Sequence, residues 1–523
     1  MTKPLKITLI ALLSILVIGI VGYFVADAMI SSKLEAFLEK ELPETISVDY
    51  EAIDVNIWSG SVIMVRPKIV SKGSYGSKNV ANLELDTLLV DGFATWNYLL
   101  NDKIDVESVQ LRSPKLLYNH NSATPKDEYK YSALEQLKQE VKIGRFNIQN
   151  GELNIRNYET DSLLLHTEKF TANVMGIHVD SKTVKRRIPF DYGDYNLSFN
   201  DLFYVVGEYE DLKMASAQVT QDKAEFKQLH LFTKYSKSKL NQIITEERDH
   251  FDVSIPSLVL EGQKFGYEKD SIFYFKSPKV MLESPEMYLY RNKLVADDFT
   301  RKNLYSKTLR ELTFDLTLSE IELKNATIVY SEKVNANMEA GKISFTKMNA
   351  DIKNVSNTYD RSEKTSLDID AIFMAKTPIH VLWTFDVNDV NDVFVFKVDI
   401  GKLPAADLNP FSQPNLKVRF EGELSKTYAT ISGDVNTSRV DMKVNYDEFK
   451  VNVLDKEGAR KKEVLSAIAN LFIKKDSKSA SDNFREGSKE GIARDHTKSV
   501  FNFLWLSVRS GLISVLTGDG KKK

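Results

Sequence analysis

The 523-residue chain contains no cysteine. Disulfides, thiolate metal sites and cysteine nucleophiles are therefore excluded. Histidine is scarce: His120, His166, His178, His230, His250, His380 and His496 stand far apart, with no HxH or HExxH spacing. A histidine metal site is not expected from that pattern. Also missing are the GxSxG elbow, the P-loop and GxGxxG, the short motifs that expose a serine or cradle a phosphate. Glycine (23) and proline (13) are few, and no long Ser/Gly/Pro linker interrupts residues 45–455. That argues for one elongated repetitive body rather than separate globules. A net charge of -3 leaves no basic footprint for nucleic acid. The acidic residues alternate along strand-like segments, where they read as a solvated side. No enzyme, metal or cofactor is expected.

What is present is a ten-residue hydrophobic figure, repeated five times at constant spacing. The first copy is Val109, Leu111, Ser113-Pro114, Leu116, Tyr118, and the second is Phe146, Ile148, Asn150-Gly151, Leu153, Ile155. Leu258, Leu260, Gly262-Gln263, Phe265 and Tyr267 give the third, and Val280, Leu282, Ser284-Pro285, Met287 and Leu289 the fourth. The fifth is Ile321, Leu323, Asn325-Ala326, Ile328 and Tyr330. Each half is apolar at every second residue, the strand period. A hairpin reversing at the central pair would set all four apolar side chains on one face. Asn150-Gly151 suits a two-residue turn, whereas the Ser-Pro copies need a longer turn or a bulge.

Residues Ile7 to Ala26 form an apolar run interrupted only by Thr8, Ser14 and Tyr23. Its length of about 20 residues suits a bilayer span. Lys3 and Lys6 precede it, which places the amino terminus in the cytoplasm and the remainder across the membrane. The competing reading is a cleaved signal peptide ending at Ala26-Asp27-Ala28, but the run exceeds the usual apolar core of such a peptide. Leu34, Phe37, Leu38 and Leu42 share a helical stripe after Ser31-Ser32, ended by Pro43.

Strand alternation then takes over from Ile46, with a turn at Trp58-Ser59-Gly60-Ser61. It is clearest late in the chain. Phe394, Phe396, Val398 and Ile400 share one face, as do Leu416, Val418 and Phe420; Val440, Met442 and Val444 follow, and Asp447-Glu448 reads as a turn. These strands are amphipathic, which predicts an antiparallel sheet with one wetted side. Residues 455–523 carry net charge +6 against -9 for the rest. In this tail Val464 to Phe472 and Val500 to Leu516 have helical spacing. Phe501, Leu504, Trp505, Val508 and Leu512 form a stripe expected to contact a membrane or partner, or to cap the open end of the sheet. Arg509 in its middle speaks against a second span.

Two regions resemble the AsmA-like family of bacterial envelope proteins, which includes the TamB and YhdP groups. One comprises the opening apolar segment, the hairpin around Trp58-Ser59-Gly60, Leu83–Val90, and Trp96 to Lys115. The other comprises Ala375 to Pro378, Trp383 to Asp389, Leu403-Pro404, Leu408 to Pro410 and the strand around Gly422. The resemblance implies a twisted sheet folded lengthwise into a half-pipe, tethered to the inner membrane and projecting into the periplasm. Its apolar inside would carry phospholipid acyl chains toward the outer membrane. On that reading residues 1–30 are stub and span, 31–120 a chorein-like start, 121–367 the repetitive body, 368–455 the family's carboxyl-terminal β region and 456–523 a basic helical tail. The groove would be lined by Phe394, Phe396, Val398, Ile400, Leu416, Val418, Phe420, Val440, Met442 and Val444. The expected partners are phospholipid, the inner membrane, and the outer membrane or an envelope protein at the carboxyl end. The alternative is a non-enzymatic assembly factor that binds outer-membrane proteins through its sheet edges.

Overall fold

The computed structural model describes residues 46–518 other than 57, 73–78, 95–96, 98–99, 102, 122–139, 269–271, 360–362, 375, 456–461, 463–465, 467–475 and 479–480. The apolar segment at residues 7–26, the helical stripe at 34–42 and nearly all of 464–472 lie outside the described residues. The described residues are mainly β, 62% strand against 13% helix, with one large mixed sheet. They fall into two compact units, those within 1–227 and 267–271, and those within 228–266 and 272–523.

The first unit opens with β1 (Ile46–Asp49), β2 (Ala52–Asn56), β3 (Ser61–Val65) and β4 (Lys68–Lys72). Then come β5 (Asn79–Glu84), β6 (Thr87–Asp91), β7 (Lys103–Arg112) and β8 (Lys115–His120). Longer strands follow: β9 (Glu140–Asn157), β10 (Leu163–Val179), β11 (Tyr195–Val205) and β12 (Glu210–Thr220), with β13 (Lys223–Thr233) next in the chain. The turn at Trp58–Gly60 joins β2 to β3 as expected, with Ala52 opposite Val65 and Asn56 opposite Ser61.

The second unit holds helix α1 (Lys237–Ile243), β14 (Asp249–Glu261), the first residues of β15 (Lys264–Glu268), β16 (Ile272–Glu283) and β17 (Glu286–Asn292). Helix α2 (Tyr305–Arg310) precedes β18 (Asp315–Lys333), β19 (Gly341–Ser356), β20 (Thr365–Phe373), β21 (Thr377–Phe385) and β22 (Phe394–Ile400). After β23 (Leu403–Pro404) come helix α3 (Asn409–Leu416), β24 (Val418–Gly433), β25 (Thr437–Val453), β26 (Arg485–Ala493) and helix α4 (Val500–Thr517).

The five hydrophobic figures are not hairpins. β7 and β8 do not pair with each other; both run parallel to the single strand β9, Val109 opposite Phe146 and Leu116 opposite Leu153. β16 and β17 likewise both lie parallel to β18. Each central pair is a bulge-like insertion, inside one strand in β9 and β18 and between consecutive strands at β7–β8, β14–β15 and β16–β17. Its first residue has positive φ in all five copies: Ser113 (48°), Asn150 (53°), Gly262 (60°), Ser284 (48°) and Asn325 (50°). Its second residue, Pro114, Gly151, Gln263, Pro285 or Ala326, is buried. Leu111 and Leu116 are five positions apart, which in a regular strand would point them to opposite faces. The extra residue of a bulge shifts the alternation by one and returns both to the same side. Val109, Leu111, Leu116 and Tyr118 are accordingly all buried. The bulge reading raised for the Ser-Pro copies thus holds for all five. Proline is tolerated because the ladder is interrupted there.

Neighbouring bulges lie side by side. Ser113 N–H donates to Gln149 O (2.8 Å) and Glu152 N–H to Pro114 O (2.7 Å); Ser284 N–H donates to Lys324 O (2.8 Å) and Thr327 N–H to Pro285 O (2.9 Å). Asp447-Glu448 is also a bulge rather than a turn. Glu448 has φ 47° inside β25 and faces Gly422 (φ 91°), where a Cβ would sit 2.4 Å from Glu448 O.

Two further expectations are corrected. The sheet is mixed, not antiparallel, because β7, β8, β16 and β17 join parallel neighbours. Parallel neighbours need a crossover rather than a tight turn, and local alternation carries no sign of one. Leu416 belongs to no strand; it ends α3 and is 38% exposed. The alternation Leu416, Val418, Phe420 was too short to distinguish a helix end from a strand start, and Lys417 (φ 55°) separates the two.

Candidate functional site

Residues directly opposite one another in adjacent strands project from the same face. In the second unit this rule traces unbroken apolar rows. One runs Leu260, Val280, Ile321, Ile352, Leu367, Trp383, Phe396, Ile431, Val440. Beside it run Leu258, Leu282, Leu323, Ala350, Ile369, Val381, Val398, Ala429 and Met442. Nine strand positions at about 4.8 Å each make a row of roughly 38 Å. The first unit has its own row, Ile53, Met64, Leu88, Leu111, Ile148, Ala172, Leu197 and Val219.

The two ends of the second unit's rows differ in what covers them. Ile431, Val440 and Val444 are fully buried, as are Phe394 and Met442. Their cover is α4. Phe394 meets the Phe503 ring edge-on at 6.1 Å, and the Ser438 and Ser507 hydroxyls are 2.8 Å apart. A Cβ on Gly511 would lie 3.0 Å from Val440 and 3.2 Å from Met442; one on Gly487 of β26 would lie 2.6 Å from the Val515 nitrogen. Glycine at these two positions lets the helix backbone press onto the sheet.

Helix α4 starts at Ser499, whose hydroxyl accepts from Asn502 N–H, a normal N-cap. Its buried side is Val500, Phe503, Leu504, Ser507, Gly511, Val515 and Leu516. Among the described residues it is the one helix long and apolar enough to cross a membrane, yet that apolar side packs on the sheet. Of the residues expected to touch a membrane or partner, Leu504 is buried, Val508 and Leu512 are half-buried, and Phe501 (61%) and Trp505 (38%) are exposed. Phe501 also packs near Trp383 and Tyr305.

Charged groups fasten both ends of the helix. Lys498 reaches Asp297 (3.0 Å) and Glu247 (3.3 Å), and Glu247, itself buried, also holds Lys293 at 2.5 Å. Burial disfavours the Lys498 charge, but the two carboxylates outweigh it and hold its pKa above the usual range. Lys498 in turn lowers that of Asp297. At the far end the buried Arg485 donates to the carbonyls of Val515 (3.1 Å) and Gly518. β26 was not legible in the sequence, since two of its inward residues are Arg485 and Gly487 rather than apolar side chains.

Among the described residues the far end of the rows is less covered. Over β14–β18, Phe251, Val253, Leu258, Leu260, Leu282, Met287, Leu289, Ile321, Leu323 and Ile328 are part-exposed and belong to neither buried core cluster. Of the remaining expected groove residues, Phe396, Val398, Ile400 and Phe420 are half-buried at the margin of the covered core, and Val418 is half-buried at the start of β24. Several histidines pair with a nearby carboxylate, as His230 does with Asp252 (2.8 Å) and His178 with Glu140 (3.0 Å). Among the described residues no three His, Asp or Glu side chains gather as a metal site would require. No protein-family model matches the chain, and no curated protein matches it.

Proposed function

We propose that this is an inner-membrane-anchored, periplasmic lipid-binding protein of the AsmA-like type, which holds phospholipid acyl chains along its apolar sheet face and conducts them between envelope membranes. It works without a catalytic step. The observation that carries the reading is the set of in-register apolar rows in the second unit, covered by α4 at one end and part-exposed over β14–β18. A contiguous apolar face of that extent needs a cover, and acyl chains supply one that adapts to full-size side chains. The apolar segment at residues 7–26 supports the anchor, and the resemblance noted for the two ends of the chain supports the family. The lipid-facing residues are then those of the open rows, Leu258, Leu282, Ile321 and Leu323 among them, continuing through Phe396, Val398 and Ile400 toward the helix.

A photo-crosslinking amino acid at Leu282 or Ile321 in cells should capture phospholipid. The same group at Met281 or Glu322, which alternate to the other face, should not, and at Val440 the helix should exclude lipid. Equal capture on both faces, or none at Leu282 and Ile321, would defeat the reading.

A further inference from the structure

At one margin of the second unit's apolar face the side chains change from apolar to charged. Strands β14, β17 and β18 set Phe251, Leu289 and Tyr330 opposite one another and, one alternation further out, Asp249, Arg291 and Glu332. Both sets therefore project from one face. Gly341 of β19 lies opposite Glu332, and Asn415 of α3 closes over it, since a Cβ on Gly341 would meet Asn415 Oδ1 at 2.4 Å. The charges of this margin do not balance. Arg291 donates from Nε and Nη2 to the two oxygens of Asp249, each at 2.7 Å, which leaves Nη1 without a partner among the described residues. Glu332 meets only neutral donors, the Tyr330 hydroxyl (2.7 Å) and Asn415 Nδ2 (3.4 Å), and no cation among the described residues. Burial, with the Glu332 charge beside it, pushes the Tyr330 pKa up, so that hydroxyl stays protonated and leaves the carboxylate its charge. Asn415 Oδ1 is buried with no donor. The next cations along, Lys293 and Lys498, are held by Glu247.

We propose that this margin is a headgroup subsite for a phospholipid with a primary ammonium, of the phosphoethanolamine class. The proposal rests on the lipid-binding reading of the apolar face and names the lipid that face takes. The ammonium sits between Glu332 and Asn415 Oδ1, where it supplies the missing counter-charge and the missing donor. The phosphate reaches Arg291 Nη1 in the neighbouring strand. Adjacent strands lie about 4.8 Å apart, a span that the two-carbon link between phosphate and ammonium covers. The acyl chains then run over Leu289, Phe251 and Ile328. A choline headgroup does not fit, because its trimethylated nitrogen has no N–H to donate. A phosphoglycerol headgroup fits no better. Asp249, Arg291 and Glu332 already carry one net negative charge between them, and that headgroup adds another while bringing no cation to Glu332.

The test uses full-length protein with a photo-crosslinking amino acid at Leu289, reconstituted in vesicles of equal parts phosphatidylethanolamine, phosphatidylcholine and phosphatidylglycerol. The captured lipid is identified by mass spectrometry. Phosphatidylethanolamine should be captured over each of the others by on the order of tenfold, the weight of one charge-assisted hydrogen bond. Glu332→Gln, which keeps the side chain's shape, should bring the three lipids to near equality while total capture persists. Glu322→Gln, on the other face of β18, should leave the preference intact. Capture without preference in the unsubstituted protein overturns the subsite and leaves the apolar face as a lipid site. So does a preference that survives Glu332→Gln, or one lost equally in Glu322→Gln, or capture at Leu282 with none at Leu289. No capture at either position overturns the lipid-binding reading itself.

Discussion

The same apolar rows meet two different fates within the second unit, and the side chains differ accordingly. Where α4 lies, the sheet thins to Ala429, Gly433, Ser438 and Gly487 between its larger residues, and the helix answers with Ser507 and Gly511. Helix and sheet approach closely because little stands between them. Over β14–β18 the rows carry Leu258, Leu282, Leu323, Met287 and Phe251, full-size and part-exposed. A surface built for a rigid partner is relieved to fit that partner's backbone. A surface of uniformly large side chains offers area without shape, which suits a fluid ligand.

This contrast can be broken most decisively by deleting residues 497–523. Removing α4 uncovers Ile431, Val440, Met442 and Val444 together, and the protein should aggregate or lose cooperative unfolding, as read by size exclusion and thermal melting. A truncated protein that stays monomeric with an unchanged melt would show that the helix is not the cover described. The next largest effect comes from a pair of substitutions in one row. Val440→Asp places a carboxylate in a dry contact and should cost on the order of 4 kcal/mol. Ile321→Asp, part-exposed, should cost only about 1–2 kcal/mol, keeping the fold but reducing co-purifying phospholipid. Similar melting shifts for the two would erase the distinction between covered and open ends.

The smallest effect concerns the fastening of α4 at its amino end. Lys498→Met leaves the buried Glu247 to Lys293 alone and should lower the melting temperature modestly. Because folding raises the pKa of Lys498, its contribution is complete below the usual lysine value and is lost as pH rises through the higher folded one. Folding lowers that of Asp297, so its contribution is present above the usual 3.8 and fades as pH falls through the lower folded value. Protection of the α4 amides from hydrogen exchange, referenced to the core of β25, should therefore be flat across neutral pH and fall at both extremes. In Lys498→Met the alkaline fall should disappear.

The β class, the one-sided faces and helix 500–517 were all legible in the sequence, because each depends on local period. The path of the chain was not. Spacing puts Leu111 and Leu116 on one face whether the chain reverses or bulges between them, and only pairing with β9 decides. The expected groove residues show a related limit. Alternation is cleanest where the burial contrast is greatest, so it pointed to Val440, Met442 and Val444, which the helix covers. The open rows over β14–β18, interrupted by bulges and mixed with tyrosine and serine, gave a weaker signal. The β26 strand gave none, since an arginine and a glycine take its inward places.

The bulges have a consequence for how this protein tolerates change. A strand has a reading frame of two, and each bulge is a frameshift shared with the strand beside it. Losing one residue at Ser284-Pro285 would restore the regular frame and turn Met287 and Leu289 outward while β18, still shifted, kept Ile328 and Tyr330 inward. Single-residue deletions at these five places should therefore do more harm than most substitutions, and the compensating change is a second deletion in the neighbouring strand.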